Sequence, residues 1–127
     1  MQSNISKRIL VVDDEQYIRE LYEEVLKAEG FEVEMAADGK EALEKILAGG
    51  YSAITLDVVM PKLDGLGILT QLKELTPKQK NGPIILLTSL ANDPAIKQAL
   101  ENGAHKVVIK TEITPKQFVD LIKAVAI

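Results

Sequence analysis

Continuous apolar runs alternate five times with stretches in which apolar residues return at helical spacing, the pattern of buried strands separated by amphipathic helices. Arg8 to Val12 reads as a first strand. Ile18, Leu21, Tyr22, Val25 and Leu26 then fill the i, i+3, i+4, i+7 and i+8 positions of one helix face, which Gly30 ends. Phe31, Val33 and Met35 alternate with Glu32 and Glu34, so the second strand has a wet face or lies at a sheet edge. Asp38 and Glu41 have capping-box spacing ahead of Ala42, Leu43, Ile46 and Leu47, and Gly49-Gly50 stops that helix. A third strand is expected from Ser52 to Leu56. Asp64 is placed to cap a helix carrying Leu66, Leu69, Leu72 and Leu75, and the polar loop Thr76 to Gly82 leads to a fourth strand at Pro83 to Leu87. Asp93-Pro94 and Thr114-Pro115 each set a capping side chain before a proline at the first helical position. Between those helices Lys106 to Ile109 supplies the fifth strand, and Phe118, Leu121, Ile122 and Val125 give the last helix its buried face.

Five βα units joined by right-handed crossovers make an α/β domain, an open, doubly wound parallel sheet with helices on both faces. The acidic second strand belongs at an edge. The order 2-1-3-4-5 puts it there and sets the topological switch between the first and third strands.

The chain has 127 residues, 46% of them hydrophobic, which suits one domain over residues 1–127 with a single core. A net charge of -4 arises from acids and bases mixed along the chain, without the basic block that a phosphate backbone needs, so direct nucleic-acid binding is not expected. No apolar run approaches the roughly 20 residues that span a bilayer, and residues 1–7 lack the apolar stretch of a signal peptide. The expected compartment is the cytoplasm. The absence of cysteine removes disulfides and thiolate chemistry together.

Charge falls at the ends of the apolar runs: Val11-Val12-Asp13-Asp14, Ile54-Thr55-Leu56-Asp57 and Val108-Ile109-Lys110. In a parallel sheet the carboxyl ends of the strands share one edge, so these side chains converge at the switch point. Two carboxylates about 4 Å apart repel by roughly 4 kcal/mol at an effective dielectric near 20, so three of them need protons, a cation or both. Lys110 brings one positive charge, and a divalent ion neutralises the remainder. Oxygen-only ligands favour Mg²⁺ over zinc and leave positions for water and a phosphoryl oxygen. Singly, each feature has a plainer reading as a helix cap, a strand-end hydroxyl at Thr88 or a surface lysine. Their joint order, Asp-Asp, Asp, Thr, Lys, after the first, third, fourth and fifth strands points to a metal-assisted phosphoryl site.

From Lys7 to Ile127 the sequence resembles the receiver domain of bacterial two-component response regulators, of the single-domain chemotaxis type. The matching motifs are Val11-Val12-Asp13-Asp14-Glu15, Leu56-Asp57-Val58-Val59-Met60-Pro61 with Asp64-Gly65, Leu87-Thr88-Ser89, and Gly103-Ala104 before Lys110. The resemblance implies a flavodoxin-like fold. A chemotaxis protein of this family is itself a standard example of the 2-1-3-4-5 order, so topology and resemblance are not independent. It further implies that Asp57 takes a phosphoryl group from a phosphohistidine on a sensor histidine kinase or phosphotransfer protein. Asp14, Asp57 and the backbone carbonyl of Val59 would bind Mg²⁺, and Asp13 would act through water. Lys110 would hold a phosphoryl oxygen and Thr88 would hydrogen-bond the attached group. Signalling would pass through helix four, strand five and helix five to a downstream protein or effector domain. On this reading the chain catalyses only its own phosphorylation and dephosphorylation and is not otherwise an enzyme.

Some positions depart from the family. Val107 stands where relatives commonly carry a switching aromatic residue, so either backbone movement of the Ser89 to Asp93 loop or a different surface altogether is expected to carry the signal. Thr111 replaces the usual proline after the lysine, and a trans peptide is expected there because a cis bond before a non-proline residue costs about 2.5 to 4 kcal/mol. Ser89 replaces a small apolar residue. Val59 and Leu90 are apolar where many relatives orient an attacking water, which predicts a long-lived phosphoryl group. The single histidine, His105, is assigned no role, because a lone imidazole lacks partner ligands. Tyr17 and Tyr22 are expected to pack, while Glu15, Gln16, Arg19 and Glu23 face outward where a kinase helix would dock.

Three rival readings are discriminated by single residues. A non-phosphorylated pseudo-receiver would lack one of Asp14, Asp57 or Lys110, and all are present. A flavin-binding protein would offer a hydroxyl- and glycine-rich loop after the first strand, where Asp13-Asp14 repels phosphate. A dehalogenase-type phosphatase would have a second aspartate at position 59, which is Val59.

Overall fold

A computed structural model describes residues 7–58, 63–89 and 94–127. The strands are β1 (Arg8–Val12), β2 (Glu32–Ala36), β3 (Ala53–Asp57), β4 (Ile84–Thr88) and β5 (Lys106–Ile109). They form one sheet of order β2-β1-β3-β4-β5 with every pairing parallel. The helices are α1 (Gln16–Ala28), α2 (Gly39–Ala48), α3 (Gly65–Leu72), α4 (Pro94–Glu101) and α5 (Pro115–Val125), and a single 3-10 turn, Lys110–Glu112, follows β5. The expected flavodoxin-like topology is the one observed.

Side-chain alternation along the strands divides the core in two. Leu10, Val12, Ile54, Leu56 and Leu86 face Ala42, Ile46, Ile68, Leu69 and Ala99 of α2, α3 and α4. Ile9, Val11, Ala53, Ile85 and Leu87 face Tyr22 and Leu26 of α1 and Phe118, Val119 and Ile122 of α5. The Tyr22 and Phe118 rings stack with centroids 3.8 Å apart. Asp13 and Asp57 continue the odd-numbered alternation, so their side chains emerge on the α1/α5 face.

Local chemistry sets the element ends. Gly30 adopts φ +93°, and Phe31 N–H bonds the Leu26 carbonyl while Gly30 N–H bonds that of Lys27, a Schellman closure of α1. Asp38 accepts from the Glu41 N–H at 2.9 Å, and the Glu41 carboxylate reaches back to the Ala37 N–H at 2.9 Å. Thr114 and Gln117 form a reciprocal capping box on α5. The Asp93 cap expected on α4 lies outside the described residues.

Two strands, β3 and β4, each lie one residue later at both ends than the expected Ser52 to Leu56 and Pro83 to Leu87. The ladder of β3 runs one residue further, through Asp57, because the Val58 N–H still donates to the Leu87 carbonyl at 3.0 Å. Strand β4 begins at Ile84, since Pro83 has no N–H to offer. In α3 the buried face is Gly65, Ile68 and Leu69, with Leu72 partly buried, an i, i+3, i+4, i+7 set. Leu75 lies beyond the helix and is 41% exposed, because uniform three-residue spacing drifts off a face whose period is 3.6.

Candidate functional site

The β1–β3 register aligns Val11 with Thr55 and Val12 with Leu56, which brings Asp13 beside Asp57 at the carboxyl edge. Asp57 is the last residue of β3 and pairs with Leu87, and Thr88 is the last residue of β4 and pairs with Ile109. Both are therefore held in a hydrogen-bonded ladder, which positions a side chain more tightly than a loop does. Asp13, Asp57 and Thr88 are all buried, whereas Asp14 is exposed at the mouth. One carboxylate oxygen from each of Asp13, Asp14 and Asp57 lies within 4.8 Å of the others.

Lys110 follows β5 and turns its ammonium into this group. Its Nζ lies 2.8 Å from Asp13 Oδ2, 3.2 Å from Asp57 Oδ2 and 3.6 Å from Glu15 Oε1. Burial works to discharge the ammonium, but the hydrogen bond to Asp13 and the charges of Asp57 and Asp13 outweigh it and hold its pKa above the ordinary lysine value. The other Asp13 oxygen, Oδ1, accepts the Glu15 N–H at 2.9 Å. Both Asp13 oxygens are thus engaged, whereas the Asp14 carboxylate is exposed. The phenol of Tyr22, beneath the cluster, has its pKa raised chiefly by burial, with Lys110 lowering it and Asp13 and Asp57 raising it.

The backbone around the acids is fixed from two sides. Arg19 Nη1 donates to the Asp13 carbonyl at 2.8 Å, so Arg19 folds inward rather than facing a partner as its helix position suggests. A Cβ at Gly65 would lie 2.6 Å from the Asp57 carbonyl oxygen, so only glycine lets α3 start this close to β3. Neither role is written in the apolar pattern. For Gly65 the signal was its place in the Asp64-Gly65 motif.

The remaining expectations sort plainly. Val59 and Leu90 lie outside the described residues, as does the Ser89 to Asp93 loop apart from an exposed Ser89. No described peptide bond is cis, that before Thr111 included, and Thr111 sits within the 3-10 turn. Val107 is partly buried against the α4 side of the core. Tyr22 packs as expected, but Tyr17 is 71% exposed because α1 turns that position away from the sheet. His105 is exposed. Thr55, two residues before Asp57 on the same strand, has a buried hydroxyl without a hydrogen-bond partner among the described residues.

Three acids at the switch point of this topology, one shared ammonium and a strand-end hydroxyl define a receiver-type site. A family model, the response regulator receiver domain, matches residues 9–123. The chain belongs to that family. It is 36% identical over 120 residues to the transcriptional regulatory protein SrrA of Staphylococcus aureus, covering 94% of this chain and 48% of that protein. The chain thus spans about half the length of the curated relatives it matches. Among solved structures, a CheY-like receiver domain protein from Methanospirillum hungatei superposes with a TM-score of 0.83 at 30% identity, covering 94% of this chain and 93% of that one. Response regulator TrrA from Thermotoga maritima, solved in complex with Mg²⁺ and BeF, gives 0.76 at 35% identity, with 93% and 97% covered. The chain is therefore a receiver domain of two-component signalling. Among the described residues, no helix is long and apolar enough to cross a membrane.

Proposed function

We propose that this domain is a phosphoacceptor switch in which Asp57 receives a phosphoryl group from a phosphohistidine on a sensor histidine kinase or phosphotransfer protein. An Asp57 carboxylate oxygen attacks phosphorus in line, the phosphorus–nitrogen bond breaks, and the departing imidazole keeps the bonding pair and takes up a proton. The product is an acyl phosphate. Such transfers need positioning and cancellation of charge on the phosphoryl oxygens more than covalent assistance from the protein.

The observation that carries this reading is the Lys110 ammonium bridging Asp13 and Asp57, 2.8 and 3.2 Å away, within a cluster that Asp14 completes. The donor set is oxygen-only, partly open and more negative than one ammonium can balance, which fits a hard divalent cation. Asp14 and Asp57, with the Val59 carbonyl, are the residues assigned to hold Mg²⁺. Bound there, Mg²⁺ would draw charge from the attacking and transferring oxygens. Lys110 is already within reach of the Asp57 oxygen that would carry phosphorus, so it needs only a small excursion to hold a phosphoryl oxygen. Thr88, last in the adjacent strand, supplies the hydroxyl donor on the other side.

Modification changes Asp57 from a charge of -1 to roughly -2 with several acceptor oxygens, by analogy with other phosphorylated side chains. Drawing Thr88 toward it shifts an existing two-state equilibrium in the segment after β4. The readout surface we assign is α4, β5 and α5. Between β5 and α5 a shallow groove of about 400 Å³ is lined by the apolar Val107, Ile113 and Leu121 and by the polar Lys106, Glu112 and Gln117, offering a mixed seat to a downstream protein or an effector domain. The domain acts on no substrate other than its own phosphoryl group and works in the cytoplasm.

The test is intact-mass measurement after incubation with acetyl phosphate, with and without Mg²⁺, beside an Asp57→Asn control. One phosphoryl group should be gained by the wild type only with Mg²⁺, and none by the control. Folded wild-type protein that gains nothing overturns the proposal.

A further inference from the structure

Glu15 occupies the N-cap position of α1 with extended backbone, φ -89° and ψ 115°, yet its side chain makes no capping hydrogen bond. Serine, threonine, aspartate and asparagine are the residues that serve a helix there, and glutamate is a poor substitute. Its carboxylate points instead across the mouth of the cleft to Lys110 Nζ, 3.6 Å away. The two groups differ sharply in setting, for the lysine side chain is 9% exposed and the glutamate side chain 63%. A residue that gives up its local role to approach a site marks a functional constraint.

The geometry points to Glu15 as a positioning residue for Lys110: an outer anchor that lets the ammonium leave Asp57 for a metal ion without losing a carboxylate partner. This inference rests on the reading of the cleft as a magnesium-assisted site. Placed 2.8 Å from Asp13 and 3.2 Å from Asp57, Lys110 neutralises both carboxylates, so it competes with any cation entering between them. Moving a buried ammonium away from both without compensation is costly. Glu15, on the solvent side, supplies the compensation and widens the range over which Lys110 stays paired. Its backbone N–H on Asp13 Oδ1 ties the anchor to the acid it serves.

The experiment is a Mg²⁺ titration followed by backbone amide shifts on the folded chain, using Glu15→Gln, Lys110→Met and the double variant. Glu15→Gln should weaken Mg²⁺ binding about two- to fivefold, the range of an exposed ion pair. In the Lys110→Met background the same substitution should change affinity little, because the effect runs through the ammonium. Glu15→Asp, one methylene shorter, should behave like Glu15→Gln. Three results overturn the inference: Glu15→Gln binds Mg²⁺ like wild type, its effect persists undiminished without Lys110, or Glu15→Asp retains wild-type affinity, which would mean field strength alone. The titration needs no phosphodonor. A chain that shows this coupling but never gains a phosphoryl group loses the phosphoacceptor proposal and keeps this one, and the converse also holds.

Discussion

Lys110 carries a charge that burial opposes and two aspartates retain, so its removal should be felt first as instability. Lys110→Met leaves Asp13 and Asp57 facing each other with their main counter-charge gone. Breaking a buried pair in this way costs about 3 kcal/mol. Urea unfolding should show that loss in metal-free buffer and a partial recovery in Mg²⁺ larger than any the wild type shows, since the ion then has no competitor. Equal loss with and without Mg²⁺ would argue against a shared cation site. A second expectation belongs to Val59 and Leu90, whose apolar side chains cannot orient water by hydrogen bonding. Release of phosphate from the acyl phosphate should be slow, and Val59→Asn should accelerate it. The direct measure is the decay of the phosphorylated mass, and an unchanged rate would count against that role.

The helices and strands were largely legible because their periods differ, 3.6 against 2, and because punctuation was explicit. Gly30, Gly49, Asp64 and the Thr114-Pro115 pair all stand where the chain stops or starts an element. What escaped was continuation by one backbone bond, as at Asp57, since the register of a neighbouring strand decides it and no residue type announces it. The inward fold of Arg19 escaped for a related reason. Its position on α1 faces away from the strands, but a long guanidinium returns to the Asp13 carbonyl across the turn. Caps are the element-scale features open to a clean test. Thr114→Ala removes the acceptor for the Gln117 N–H, 3.1 Å away, and frees the reciprocal bond. A loss of about 1 kcal/mol in chemical denaturation is expected. No loss would mean that packing of Phe118 and Ile122 alone holds α5 in place.

Across the whole molecule, charge gathers at both edges of the sheet, and only the carboxyl edge was expected from the sequence. At the amino edge Arg8 pairs with Glu34 and lies over the Tyr51 ring, 4.7 Å from its centroid, while Tyr51 donates to Glu34 at 2.9 Å. The wet face predicted for β2 is thus partly spent on this network. Burial and the Glu34 bond push the Tyr51 phenol up to about 12. The Arg8 hydrogen bond, against the opposing effect of burial, holds the Glu34 carboxyl below its ordinary value. A carboxyl so lowered binds fewer protons folded than unfolded. Its contribution to stability is therefore present above the ordinary value of about 4.3 and is lost as pH falls through the folded value. The urea midpoint of the wild type should drop on acidification below that point more steeply than that of Glu34→Gln, and parallel curves would remove Glu34 from the account.

The site could be read from sequence because strand ends in a parallel sheet must meet, so residues 13, 57, 88 and 110 converge once the order is known. Glu15 and Gly65 could not be weighed in that way, since their roles depend on distances across loops. The central claim is that the convergent edge makes Asp57, and no other carboxylate of the cluster, the acceptor. Borohydride reduction of the phosphodonor-treated, Mg²⁺-loaded protein converts an aspartyl phosphate to homoserine, which peptide mass spectrometry locates. The account predicts homoserine at position 57 alone; conversion at position 13 or 14, or none in folded and metal-loaded protein, would contradict it.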